Sequence, residues 1–481
     1  MHLLPQGGQG QSLTVDHVHA FVDDALGNAD ATGVAARIVS GEVSAREVTE
    51  AAIARAKTVN PALNGIQLEN FEQARADSEH PAGGVFSGVP TFVKDNTDVA
   101  GLPTNQGSLA VNGQSARDHA PFTKQFLSTG MTVLGKTTMP EFGFNATTEY
   151  ENLPPTRNPW NTGYSSGASS GGSAVMVASG VVPIAHANDG GGSIRIPAAA
   201  CGLVGLKPSR GRVVDAAEAA HMPVNIVVNG VLTRSVRDTA HFFAGVEKHF
   251  RNPSFERLGL IEGPGSRRLK IGLVVDSITG EPTDLETRNA VLDTAKRLEA
   301  LGHTLDEVPP LVGTKFIKDF VNYWAMLAFS TQHFGTLVMG PGFDRRHTDN
   351  LTRGLAKHFA RNIYKTPLMI RGLKKTEQTY ADFFTSHDLV LSPVLAHTTP
   401  KLGYISPDND YATMIARLIR YVSFTPLNNA SGGPAISLPV ATSSEGLPIG
   451  VHFSAAHGDE RTLLEIGYEL EADGPFARIQ D

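Results

Sequence analysis

Several things are scarce in this chain, and each scarcity narrows what it can be. One cysteine, Cys201, stands among 481 residues, which excludes an intramolecular disulfide framework and a cysteine-cluster zinc site. No long apolar run is present. The longest, Ala174–Ala185, is broken by Ser179, Gly180 and Pro183 and is too short to span a bilayer. No lysine or arginine precedes Arg37, so the opening MHLLPQGGQGQSL lacks the basic and apolar regions of a signal peptide. Charge is not of one sign either. A net charge of −7 gives no reason to expect nucleic acid or an anionic membrane as partner. No repeat of solenoid length recurs. The expectation is a cytoplasmic, globular protein with a small-molecule ligand, with 41% hydrophobic and 19% charged residues.

What is abundant is glycine and serine, concentrated in one stretch from Ser165 to Arg212. Two Ser/Gly clusters, Gly167–Ser173 and Gly190–Ser193, bracket an apolar helix (Gly172–Ser179) and a buried strand (Val181–Ala187). A flexible linker has no reason to hold such elements. Glycines beside serines at the ends of regular elements let backbone N–H groups approach a reacting oxygen.

The remaining chain reads as alternating helices and strands. A helix over Thr32–Ser40 is followed by one that opens at Ser44 with Glu47, a capping box, and is expected to stop at Pro61. Strand Val89–Val93 delivers Lys94 at its end. Ser235 caps a helix with Asp238 in its first turn. Strand Leu269–Asp276, helix Asp284–Leu301 (apolar face Leu285, Leu292, Ala295, Leu298, Leu301) and strand His303–Val308 form a β-α-β unit, which argues for parallel strands in an α/β fold. Residues 314–384 are mainly helical and rich in aromatics, the expected substrate-shaping region. Strand Asp388–Pro393, a loop and strand pair from Phe424 to Phe453, and helix Asp459–Glu471 follow.

Several local patterns compete for the chemistry. His17 and His19 with Asp23 and Asp24 suggest a metal site, but the H-x-H spacing suits a strand and this segment reads as helix or arm. Gly130–Thr137 (GMTVLGKT) matches the P-loop letter for letter, yet Met131–Leu134 between its glycines is itself an apolar strand, leaving no loop to wrap phosphate. Cys201 sits in PAAACGLVG, the setting of a buried inert thiol. Gly167–Gly171 (GASSG) matches a nucleophile elbow, with Asp388 and His452 available as triad partners of an esterase, but the apolar strand that must precede it is missing.

Taken together, GASSGGS at 167–173, GGSIRIPA from Gly191 and GLKPSRGR at 205–212 resemble the amidase signature family. GVPTFVKDNTDVAGLPT at 88–104, VLGKTTMPEF at 133–142, TRNPWN at 156–161, NGVLTRSVRD at 229–238 and SGGPAISLPV near the C-terminus extend the resemblance from about Val34 to Leu470. The resemblance implies one amidase domain over residues 1–481, with 1–30 as an N-terminal arm, built on a large mixed β-sheet covered by helices on both faces. It implies hydrolysis of a carboxamide through a Ser–cis-Ser–Lys triad of Ser193 (nucleophile), Ser169 (bridge) and Lys94 (base). No metal and no cofactor are implied; a homodimer is. The wording HANDGGGSIRIPA points toward the branch of cyclic nylon-oligomer hydrolases.

Physical chemistry supports these roles. Gly190, Gly191, Gly192 and Ser193 can turn successive N–H groups toward an oxyanion. Lysine near neutrality requires about 3–4 kcal/mol of environmental bias, which burial can supply. Ser170, Ser173, Asp189 and Arg195 are expected to hold the loop and Ser169 in place. Where the family commonly reads G-T-D this chain has Ala187-Asn188-Asp189, with Thr138 in place of Asn and His452 in place of Gln. The alternative is the amidase subunit of a tRNA-dependent amidotransferase, against which Ile196 stands where that subunit usually carries Gln.

Overall fold

A computed structural model describes residues 17–216, 219–220 and 222–481. Residues 1–16 of the expected arm lie outside it. The strands are β1 (Ile66–Glu69), β2 (Pro90–Lys94), β3 (Thr132–Thr137), β4 (Arg157–Asn158), β5 (Asn161–Ser165), β6 (Ile184–Asp189), β7 (Val204–Lys207), β8 (Val228–Thr233), β9 (Lys270–Leu273), β10 (Thr304–Glu307), β11 (Leu389–Pro393), β12 (Ala435–Thr442) and β13 (Pro448–Ala455).

Eight of them form one mixed sheet in the order β10-β9-β11-β13-β12-β7-β8-β6. The expected β-α-β unit is there, with β9 parallel to both β10 and β11; the pairs from β11 to β6 are antiparallel. Successive side chains of a strand face opposite ways, and β12 shows what each face meets. Leu438 packs toward Gly467 of helix Glu460–Asp473, while Ser437 faces Gly450 and Ala199 of helix Arg195–Cys201. Helices therefore cover both faces, as an α/β sheet with near-continuous apolar strands requires.

A second sheet, β1-β3-β2, abuts the β6 edge. Thr91 Oγ1 donates to Ile184 O at 2.9 Å, and the Lys94 N–H donates to His186 Nδ1 at 3.2 Å. These bonds place the end of β2 beside the end of β6, which decides where the site forms.

Local signals mostly hold. Ser44 and Glu47 make the capping box, and Ser235 caps Val236–Glu247 through Asp238 N. Three expectations change. Pro61 does not end its helix, which runs to Leu63 and stops at left-handed Asn64; in the last turn a missing N–H forfeits only one bond. Leu285 is 70% exposed, because the buried stripe of helix Leu285–Ala300 runs through Ala290, Val291, Ala295 and Leu298. The segment after Phe424 is not all loop: Pro426–Ser431 is a short helix with proline at its start and Gly432 (φ +85°) at its stop. The P-loop match dissolves, since Gly135–Thr137 belong to β3 and Lys136 pairs with Asp95 at 3.1 Å, both buried.

Candidate active site

Lys94 emerges from β2 completely buried. Its Nζ donates to Ser169 Oγ at 2.7 Å and to Asn188 Oδ1 at 2.7 Å. Burial pulls this amine down to about 7, against the opposing pull of the Asp189 charge. Removal from water disfavours the ammonium form, so a lysine becomes a base near neutrality.

Ser169 follows a cis peptide bond from Ala168 and precedes helix Gly171–Ala178. Gly143 lies against it. A Cβ there would come within 3.1 Å of Ser169 Oγ, and its φ of +71° also favours glycine.

Ser193 sits in the turn between β6 and helix Arg195–Cys201, and Asp189 organises that turn. Its carboxylate accepts Gly192 N at 2.7 Å and Ile194 N at 3.1 Å. Arg195 meets it with Nε and Nη2 at 2.9 and 3.0 Å, and Asn429 Nδ2 adds a bond at 2.8 Å. Burial alone would push this carboxyl up; Arg195, Lys207 and Asn429 instead hold it far below the usual range.

Arg195 is itself saturated. Its remaining N–H groups go to Asn428 Oδ1, Asn429 Oδ1 and His452 Nε2 at 3.2, 2.7 and 3.0 Å, so all five donors of the guanidinium have acceptors. His452 Nε2 must then accept, which places its proton on Nδ1, 3.2 Å from Ser392 Oγ. Burial, with Arg195 beside it, keeps His452 neutral. A neutral imidazole thus fills an acceptor position, a reading of His452 that its place after PIGV did not suggest.

Ser173 Oγ donates to His186 O at 2.7 Å and meets Thr137 Oγ1 at 2.8 Å, tying β3 to β6; Ser170 Oγ reaches Asn188 O at 3.3 Å. One expectation needs correction. The Gly192 N–H is engaged by Asp189, so it cannot also receive an oxyanion. Among the described residues, no protein acceptor takes the N–H of Gly190, Gly191 or Ser193.

Ser169, Asn188, Gly190, Gly191 and Ser193 open onto one cavity of about 1590 Å³. Its walls include Phe144, Ile196 and Ile226, and helix Thr314–Met339 contributes Phe316, Phe320 and Trp324. Of the aromatic helical region, the lining residues run from Phe316 to Gly342. The loop from Gln106 to Ala120 lines it too, which composition did not signal.

The competing patterns are dispersed. His452 faces Arg195, and Asp388 binds Arg267 and the Lys270 N–H, so neither approaches Ser169 as an elbow triad requires. Cys201 is buried, its thiol pushed up by burial. His17 bonds Ile479 O at 3.0 Å and packs edge-on to Trp160. Asn188, Asn429 and His186 are site residues that the motifs left unassigned.

Comparison with known proteins gives the family. The sequence model of the Amidase family matches residues 47–464. A Mycobacterium leprae protein named "Putative amidase AmiC" is 50% identical over 97% of this chain and 99% of its own length. The 6-aminohexanoate-cyclic-dimer hydrolase of Pseudomonas sp. (strain NK87) is 35% identical over 93% of this chain and 95% of that protein. A solved structure of 6-aminohexanoate cyclic dimer hydrolase superposes with a TM-score of 0.84 at 32% identity, covering 95% of this chain and 98% of the other. The chain belongs to the amidase signature family and is an amide-hydrolysing enzyme.

Proposed function

We propose that Ser193 is the nucleophile, Ser169 the proton bridge and Lys94 the base of a stand-alone carboxamide hydrolase. The observation that carries this reading is the buried 2.7 Å bond from Lys94 Nζ to Ser169 Oγ, with Ser169 opening onto the same cavity as Ser193.

An amide carbonyl is a poor electrophile, so the attacking hydroxyl must lose its proton as the new C–O bond forms. Ser193 Oγ passes its proton to Ser169 Oγ, whose own proton goes to neutral Lys94. The developing oxyanion is received by the N–H groups of Gly190, Gly191 and Ser193, which require no reorganisation at that moment. As the C–N bond breaks, the Lys94 ammonium returns the proton through Ser169 to the leaving nitrogen. Water then attacks the acyl-Ser193 ester by the same relay, releasing the carboxylic acid.

The cavity's size and aromatic walls support substrates with bulky apolar groups, linear or cyclic, and the cyclic-dimer hydrolase relative points the same way. No helix among the described residues is long and apolar enough to cross a membrane. The reading includes a single amidase domain, a cytoplasmic location and a homodimer. Its test is turnover of simple aryl and cyclic amides by the purified chain alone. Ser193→Ala and Lys94→Ala should each lose at least ~10³-fold in kcat. Near wild-type turnover by either variant rejects the assignment.

A further inference from the structure

Lys94 has two oxygen neighbours at hydrogen-bond distance, and only one belongs to the proton relay. The other is the Asn188 side chain, at 2.7 Å. Its amide orientation follows from its neighbours: Nδ2 turned toward Lys94 would oppose the N–H groups of the ammonium form, whereas turned away it donates to Asn96 Oδ1 at 3.0 Å. Asn96 lies two residues beyond Lys94, in the turn that leaves β2, and both asparagines line the cavity.

We propose that Asn188, held by Asn96, is a positioning residue for Lys94: its carbonyl takes one amine hydrogen, holds Nζ beside Ser169 and leaves the lone pair of the neutral amine available to the Ser169 hydroxyl. A neutral amine has two N–H groups and one lone pair, and about a bond free to rotate it can point that pair anywhere. Asn188 Oδ1 can only accept, so it always claims a hydrogen. With that hydrogen on Asn188, the neutral nitrogen keeps one hydrogen and one lone pair; Ser169 Oγ, which accepts from the ammonium form at 2.7 Å, donates to the lone pair once the proton is gone. The inference rests on the proposed role of Lys94 as base.

The acceptor also acts on the charge state. Asn188 Oδ1 favours the ammonium form, against the burial that opposes it. The other groups facing Lys94 are Asp189 and His186 on β6, with Lys136 on β3 paired to Asp95. His186 is pushed down to about 3 by burial and stays neutral. None of these side chains is replaced when position 188 or 96 is substituted, so a displaced pH profile reports on the substituted asparagine.

The test is the pH dependence of kcat and kcat/KM on a neutral anilide, with the purified full chain. In N188D a carboxylate faces the amine, and the acid limb of kcat/KM should move up by about one pH unit or more, with activity recovered at high pH. In N188L the acceptor is gone. The limb should move down while kcat falls about 10-fold or more with little change in KM. N96A, which leaves the cavity floor otherwise intact, should lower kcat less than N188L does. Limbs that stay at the wild-type position in both N188D and N188L, in enzymes that K94A inactivates, overturn the inference and leave Lys94 as base. Full activity in K94A overturns both.

Discussion

Asp189 and Arg195 form an ion pair with both side chains at zero exposure, one at each end of the turn that presents Ser193. The pair costs desolvation, and geometry returns it: two Arg–carboxylate bonds, two backbone N–H bonds to the same carboxylate, and no unused donor on Arg195. Its effect is to hold Gly192 N and Ile194 N on the Asp189 carboxylate, while Gly190, Gly191 and Ser193 line the cavity.

Removing one partner leaves the other charge buried and alone. Arg195→Leu should therefore destabilise the protein by about 3–5 kcal/mol. Chemical denaturation checks the stability. Activity measured well below the unfolding midpoint should also fall, since the Ser193 turn loses its anchor.

Lys94 supplies a second prediction, on stability rather than turnover. Its amine is pulled down to about 7 in the folded chain from an ordinary value of 10.5. Between those two values the unfolded chain binds more protons, so this group's contribution to stability rises with pH. Below about 7 the folded state bears the whole cost of the buried ammonium. The melting temperature of Lys94→Met relative to wild type should thus be more favourable at pH 6 than at pH 9.5.

Glu141 carries the opposite sign. Its carboxyl is buried, accepts Ser108 Oγ at 2.6 Å and Asp349 N at 2.7 Å, and leads into the Phe142–Gly143 turn beside Ser169. Burial and the nearby Asp349 charge raise it well above the usual carboxylate range. Its stability contribution is present below the unfolded carboxyl value and is lost as pH rises through the folded one. Glu141→Gln should match wild type in melting temperature at acidic pH and exceed it at pH 9.

Phe320 lines the cavity beside Gly191. Its ring lies 3.7 Å from where a side chain on Gly191 would begin, and it is 8% exposed. Phe320→Ala should cost about 3 kcal/mol in stability. It should also raise kcat/KM for bulky amides relative to small ones. A parallel assay of both substrates with wild type and variant reads that ratio.

The parts legible in the sequence are those decided by neighbours in the chain. Ser44 with Glu47, and Ser235 with Asp238, satisfy their N–H groups within one turn, so their caps are readable. The β9-β10 unit follows from periodicity. Ser193, Ser169 and Lys94 were named through the resemblance, and the fold brings Ser169 and Lys94 into contact. What stayed hidden depends on partners far away. Arg195 meets His452 and Asn428 across more than 230 residues, and Lys94 meets Asn188 only because β2 lies beside β6. The Gly192 N–H counted as free because no local pattern shows Asp189 turning back three residues to accept it.

The most direct test of the account is to trap the acyl-enzyme. The purified chain is mixed with a slowly deacylating activated ester, quenched in acid and mapped by peptide mass spectrometry. One acyl group is expected on Ser193, formed more slowly in Lys94→Ala and absent in Ser193→Ala. Acylation of Ser169, or of any residue in Ser193→Ala at the wild-type rate, would contradict it.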